Sequence, residues 1–298
     1  MQSGVRTDLA MEAREAAGEI EGVEMEQKKE GKAIVTRVRV NTEHGARVIG
    51  KPVGTYITIE QSGLSQEKGT ALSRCIGAQL AQLLGEARQG GALVVGLGNR
   101  ELTPDSLGPR VTQQVLVTRH LFTQLPELVD GRVQPVSVLA PGVMGSTGME
   151  TGEVVQAVVQ RVKPGCVVVV DALAARSTGR ILNTVQLTDA GVAPGSGVGN
   201  HRDALTKESL GVPVVAVGVP MVVHASTILR DALEHIAGES GAELNVDTLL
   251  RDMDGENLVV TPVMIDEAVR SVAALLAEGI DLALQPGLSR RELRALRI

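Results

Sequence analysis

The chain has 298 residues, 43% of them hydrophobic and 21% charged, with a formal net charge of −6. That length buries a core sized for one large domain or two ordinary ones, and the composition excludes a disordered chain. A negative balance offers no basic face for DNA or RNA, and one Tyr, one Phe and no Trp leave no stacking platform for single strands.

Residues 1–31 are rich in Glu and Lys and show little periodicity, so they read as an exposed arm or a peripheral helix, with 11–20 able to wind. Between Ala33 and Glu60, Ile34, Thr36, Val38 and Val40 share one parity, and Tyr56-Ile57-Thr58-Ile59 follows a Gly/Pro turn. That pattern predicts antiparallel strands at the edge of the main sheet. Leu72, Cys75, Ile76, Leu80, Leu83 and Leu84 recur at three- and four-residue steps, as an amphipathic helix requires, and Gly90-Gly91 ends it. A strand is expected over 92–97, a helix over 111–122 and a strand over 136–139. Thr151 is placed to cap a helix over 153–162, and Pro164-Gly165 turns the chain into the strand that Asp171 ends. Strands follow over 183–187 and 214–219. A last long helix carries Ile265, Val269, Val272, Leu275 and Leu276 on one face, and Ser289 with Glu292 fits a capping box for a terminal helix. Helices alternating with short Val-rich strands predict an α/β fold, a three-layer sandwich on a mostly parallel central sheet, with the antiparallel strands peripheral.

Open sheets of this kind bind ligands beyond the carboxyl ends of their strands. Asp105 and Asp171 each fall just past a predicted strand, beside a glycine-rich loop. Singly, Asp105 is a turn residue and Asp171 a helix N-cap at about even odds. Together at adjacent strand ends, two carboxylates beside apolar surface would divide acid and base work and resist joint ionisation. Gly96-Leu97-Gly98 and Gly195-Ser196-Gly197 lack the third glycine of a dinucleotide fingerprint. Tight turns explain them by default; otherwise the backbone N–H groups around Gly96, Gly98, Asn99, Gly145, Gly195 and Gly197 would hold an extended peptide or an oxyanion. The five histidines form no HExxH and no close ligand spacing, so no metal and no cofactor is expected, and His120 and His224 read as structural. No GxSxG and no Asp-Thr/Ser-Gly occurs. Cys75 and Cys166 form no CxxC, no secretory signal opens the chain, and no apolar run nears the roughly 20 residues that span a bilayer. A cytoplasmic protein is expected.

Long blocks of the chain resemble the germination protease of spore-forming bacteria. They include Val5-Arg6-Thr7-Asp8-Leu9-Ala10, Gly96-Leu97-Gly98-Asn99, Thr103-Pro104-Asp105, Leu107-Gly108-Pro109-Arg110, Ala140-Pro141-Gly142-Val143-Met144-Gly145, Asp171-Ala172-Leu173-Ala174-Ala175-Arg176 and Pro194-Gly195-Ser196-Gly197-Val198-Gly199-Asn200. The resemblance implies an atypical aspartic endopeptidase that degrades small acid-soluble spore proteins. Its two catalytic aspartates match Asp105 and Asp171, and its fold is similar to that of hydrogenase-maturation endopeptidases. It also implies a homotetrameric zymogen of the forespore and spore core that removes its own propeptide. Such enzymes cut after an acidic residue and before a hydrophobic residue followed by Ala. Asp8-Leu9-Ala10 fits, dividing the chain into a propeptide, 1–8, and a single peptidase domain, 9–298. Asp281-Leu282-Ala283 fits as well but lies in a predicted packed helix, where a protease cannot extend the backbone. Direct attack of water, with one proton shared by the pair, is the implied chemistry, and acidification would favour it by restoring that proton. The rivals are a metal-dependent maturation-type peptidase, using the aspartates with His120 or His224, and a silent binding module on the same scaffold.

Overall fold

A computed structural model of the protein describes residues 7–64, 70–194, 204–240 and 258–296. The strands are β1 (Val23–Glu30), β2 (Ala33–Val40), β3 (Gly54–Glu60), β4 (Ala92–Gly96), β5 (Val136–Leu139), β6 (Cys166–Ala175), β7 (Thr184–Thr188), β8 (Val214–His224) and β9 (Val259–Val260). They make one sheet in the order β1-β2-β3-β7-β8-β6-β4-β5, with β9 beside the end of β8. The strands β8, β6, β4 and β5 run parallel, whereas β1, β2, β3 and β7 extend the sheet antiparallel from β8. The fold is therefore the predicted α/β sandwich on parallel central strands, with the antiparallel strands forming one whole flank.

Two faces of the sheet are covered differently. Helices α3 (Thr70–Leu84), α4 (Leu107–Thr112) and α10 (Ile265–Leu284) lie on one face. There Leu72, Ile76 and Leu80 join Val94, Val168, Val170, Val215, Val217 and the apolar stripe of α10 in the main core. The opposite parity, Val95, Val167, Val169 and Ala216, packs beneath Val155 and Val159 of α7 (Thr151–Val162) and Leu210 of α8 (Lys207–Leu210). On the same face but over the antiparallel flank, α1 (Ala10–Ala17) and α2 (Glu43–Ile49) supply Met11 and Ile49 against Val38, Val40 and Tyr56. A stretch of β7, β8 and β6 between these two coverings is left open.

Several elements differ from expectation for identifiable reasons. Residues 23–30 form β1 rather than an arm: only Val23 is buried, so six solvent-facing residues could be polar without cost to the core. The helix expected over 111–122 is two, α4 and α5 (Arg119–Gln124), with Val115 and Leu116 folded into the core between them. β6 continues past Asp171 to Ala175, paired with a β8 that runs on to His224, and a bulge separates Leu173 from Ala174. His224 is buried at the end of β8, whereas His120 is exposed on α5. Thr151 is the first residue of α7, after Glu150, rather than its cap. Ser289 and Glu292 do make the reciprocal box, at the start of α11 (Arg290–Leu296).

Candidate active site

Four buried valines carry β6 into the sheet centre, and the next residue of the same parity as Val167 and Val169 is Asp171. Its side chain therefore projects toward the layer of α7 and α8, at the point where the chain of β4 leaves the sheet. β4 ends at Gly96, opposite Val170. Beyond it the backbone turns back sharply. Gly98 holds φ +107°, and a Cβ there would lie 2.0 Å from the Asp105 carbonyl oxygen and 2.8 Å from its Oδ1. No other residue fits this turn, which brings the one-turn helix Thr103–Asp105 against the strand end. The Asn99 N–H donates to Asp105 Oδ2 at 2.6 Å. Gly96 serves packing instead: a Cβ on it would strike the Gly108 carbonyl of α4 at 2.2 Å.

Asp105 and Asp171 line one cavity of about 1220 Å³, set in the open stretch between the two helical coverings. Gly98, Asn99, Gly145, Lys51, Gln186, Gly218 and His224 also line it, as does Asp8. Gly195 and Gly197 lie outside the described residues. Burial, and then the nearby Asp105 and Asp8 carboxylates, push the Asp171 carboxyl up to about 8, against its Oδ1 contact with the Ala172 N–H at 2.9 Å. Burial also raises Asp105 above the usual carboxylate range, opposed by the Asn99 N–H. Both shifts have the sign expected of like charges taken out of water. His120 does not reach the cavity, and among the described residues no group of three or more His, Cys, Asp or Glu is arranged to hold a metal ion.

Asp8 lines this cavity, and Leu9, with extended backbone, leads from it into α1 at Ala10. The Asp8 N–H donates to the Ala174 carbonyl at 2.9 Å, and the Ala174 N–H donates to Asp8 Oδ2 at 2.8 Å, just past the bulge in β6. Lys51 Nζ donates to the Thr7 carbonyl at 2.8 Å, and burial lowers its amine despite the Asp8 and Glu12 carboxylates. Gln186 Nε2 donates to the Asp8 carbonyl at 3.0 Å, while its Oε1 accepts the Ala10 N–H at 2.7 Å. Leu9, between these two bonds, is fully buried. Neither Lys51 nor Gln186 was visible as a site residue in the sequence. A lone Gln in an alternating strand reads as a solvent-facing position, and only the sheet register reveals it opposite Gly218, which in turn faces Asp171. The competing tripeptide Asp281-Leu282-Ala283 is helical, with Asp281 buried and bonded to the Leu116 N–H at 2.9 Å.

The open α/β sheet thus brings two aspartates to one cavity, with Asp8 bonded to the backbone of β6 at the same cavity. The germination protease family model matches residues 4–252. The chain is 43% identical to the germination protease of Caldanaerobacter subterraneus subsp. tengcongensis, over 98% of both chains. It is 42% identical to that of Clostridium perfringens, over 95% of this chain and 96% of the relative. Bacillus licheniformis has a germination protease 36% identical over 97% and 95%. Among solved structures, the chain is similar to the [NiFe] hydrogenase maturation protease HycI of Thermococcus kodakarensis KOD1, at 20% identity, TM-score 0.37, covering 68% of this chain and 98% of that one. The protein belongs to the germination protease family, a family of peptidases.

Proposed function

We propose that the protein is an aspartic-type endopeptidase in which Asp105 and Asp171 activate water together, made as a zymogen that first cuts itself between Asp8 and Leu9. The observation that carries this reading is the convergence of both aspartates and the Asp8 side of that bond on one cavity. Two features favour unequal roles. Asp171, lifted to about 8, retains its proton at neutral pH, whereas Asp105 accepts an N–H from Asn99, a contact that stabilises an ionised carboxylate. Ionised Asp105 takes a proton from water as the water oxygen bonds to the Asp8 carbonyl carbon. Asp171 gives its proton to the carbonyl oxygen, and the resulting diol collapses as the C–N bond breaks. The Leu9 nitrogen leaves with a proton returned by Asp105. As the carbonyl re-forms, a diol hydroxyl returns a proton to Asp171. The new acid at the Asp8 carbonyl carbon and the new amine at Leu9 then exchange a proton to leave carboxylate and ammonium, and the pair again holds one proton.

Family membership favours small acid-soluble spore proteins as later substrates, cut after Asp or Glu and before a hydrophobic residue and Ala, in the spore core during germination. It also favours a homotetramer, with 1–8 as propeptide and 9–298 as the peptidase domain. No helix among the described residues is long and apolar enough to cross a membrane. The decisive experiment follows the chain mass over time. Wild type loses residues 1–8, and Asp105→Asn and Asp171→Asn stay full length with unchanged circular dichroism. General acid and base assistance are each worth roughly 10²–10⁴-fold, so conversion by either variant at the wild-type rate refutes the dyad.

A further inference from the structure

We infer that Gln186 is the residue that positions the Asp8–Leu9 bond for self-cleavage, its single amide gripping the carbonyl on one side of Leu9 and the N–H on the other. The inference rests on the reading that Asp105 and Asp171 cut that bond, and it assigns to a side chain outside the pair what the dyad itself lacks. A pair of carboxylates can move protons, but it has no means of fixing which of several neighbouring carbonyls receives the water.

The amide is built for that task. Its two partners are the bond's own carbonyl and the next N–H along, so it reads the backbone and not a side chain. A carbonyl needs a donor and an N–H an acceptor, which fixes the orientation of the amide. Gln186 is 6% exposed, so water offers little competition for either bond. The sheet register places it on the same face as Asp171, two strands away, with Gly218 between them. A Cβ on Gly218 would lie 2.5 Å from Leu173 Cγ, so glycine there makes room for the Leu173 side chain, which packs over Gly218 beside the clamp. The Nε2–H is already on the oxygen that gains negative character when water adds, where a buried donor strengthens as charge develops. Hydrogen bonds with Ala174 and Lys51 also hold Thr7 and Asp8, so the carbonyl stands at the end of a restrained segment whose Asp8 lines the same cavity as the dyad. The plainer alternative is that Gln186 merely ties the start of α1 to the sheet. It predicts lost stability with unaltered chemistry, and the two are separable.

The test uses the full-length chain and the appearance of the Leu9 amino terminus, followed by mass, with thermal melting in parallel. In Gln186→Met the length is kept and both bonds are lost; conversion is expected to fall at least about 10-fold at every pH, in the folded protein, as for loss of a donor to a developing oxyanion. In Gln186→Glu the donor exists only while the new carboxyl is protonated. The ratio of its rate to wild type is expected to rise about 10-fold between pH 7 and pH 4.5, while the Met ratio stays flat. A Met variant within twofold of wild type, or a flat Glu ratio, overturns the clamp and leaves the dyad standing. A wild-type chain that never converts, or an Asp171→Asn chain that converts normally, overturns the dyad reading and the clamp with it.

Discussion

The proton on Asp171 has consequences that a melting curve can read. Its carboxyl is raised from 3.8 to about 8 in the folded chain, chiefly by burial, so the folded state binds this proton more tightly than the unfolded state does. Stability from that proton is fully present below the unfolded value and is lost as pH rises through about 8. Asn carries no such charge. Asp171→Asn should therefore change stability little at pH 4 and raise it over wild type at pH 9, by roughly 5 kcal/mol. Wild-type conversion should fall over the same alkaline limb, because a doubly ionised pair has no proton to give the carbonyl oxygen. Equal melting of the two proteins at both pH values would show that Asp171 is not held neutral. The aspartates were legible in the sequence because one follows a run of four valines and the other a glycine-rich turn after an apolar strand, although β6 runs on past Asp171. The asymmetry between them was not, since it depends first on the deeper burial of Asp171 in the fold and then on Asp8 arriving from elsewhere.

Among the elements, α1 is the link between the open cavity and the cut. Its residue Glu12 is 3% exposed and accepts N–H bonds from Arg176 at 2.8 Å and Ser177 at 3.0 Å, with the Arg180 guanidinium 3.2 Å away. A carboxylate with this many donors anchors the helix to the end of β6, and Leu9 and Ala10 are carried with it. Truncation in Glu12→Ala strips the partners from buried N–H groups and a cation, at a cost of about 2–4 kcal/mol by chemical denaturation. Conversion should also slow, because the segment before the helix loses its fixed end; stability within 0.5 kcal/mol of wild type would contradict this anchoring. Amphipathic α3 and α10 and the valine runs of β4 and β6 declared themselves by periodicity, since burial on one or both faces sets their pattern. β1 did not, because an edge strand with one buried residue has no apolar alternation to show. The extensions of β6 and β8 along the cavity were equally hidden, because their pairing continues through a bulge after Leu173 and through Pro220, which read as strand ends in the sequence.

At the scale of the whole molecule, the cavity exists because two helical coverings on one face stop short of each other, and the opposite face is sealed by α3, α4 and α10. A second surface feature is apolar and outward. Leu258, Val259, Val260, Val263 and Met264, the run from β9 to the start of α10, are all exposed, Val263 at 97%. Scattered apolar residues on a surface need no explanation, but a consecutive run of this kind is typical of surface that another chain covers. The proposed homotetramer would supply such a cover, and β9 sits next to His224 at the cavity rim, so assembly there would bear on access to the dyad. Val263→Glu places a charge where the side chain now contacts nothing of its own chain, and the isolated fold should tolerate it, with a melting change within about 0.5 kcal/mol. If this run is an interface, burying that charge without a partner costs several kcal/mol per contact, and light scattering should report chains smaller than the wild-type assembly. If Val263→Glu keeps the wild-type mass at low micromolar concentration, this surface is not where the subunits meet. If the mass falls and conversion of the Asp8–Leu9 bond keeps its wild-type rate, assembly is dispensable for the cut, as expected of a bond held by Gln186, Ala174 and Lys51 of its own chain.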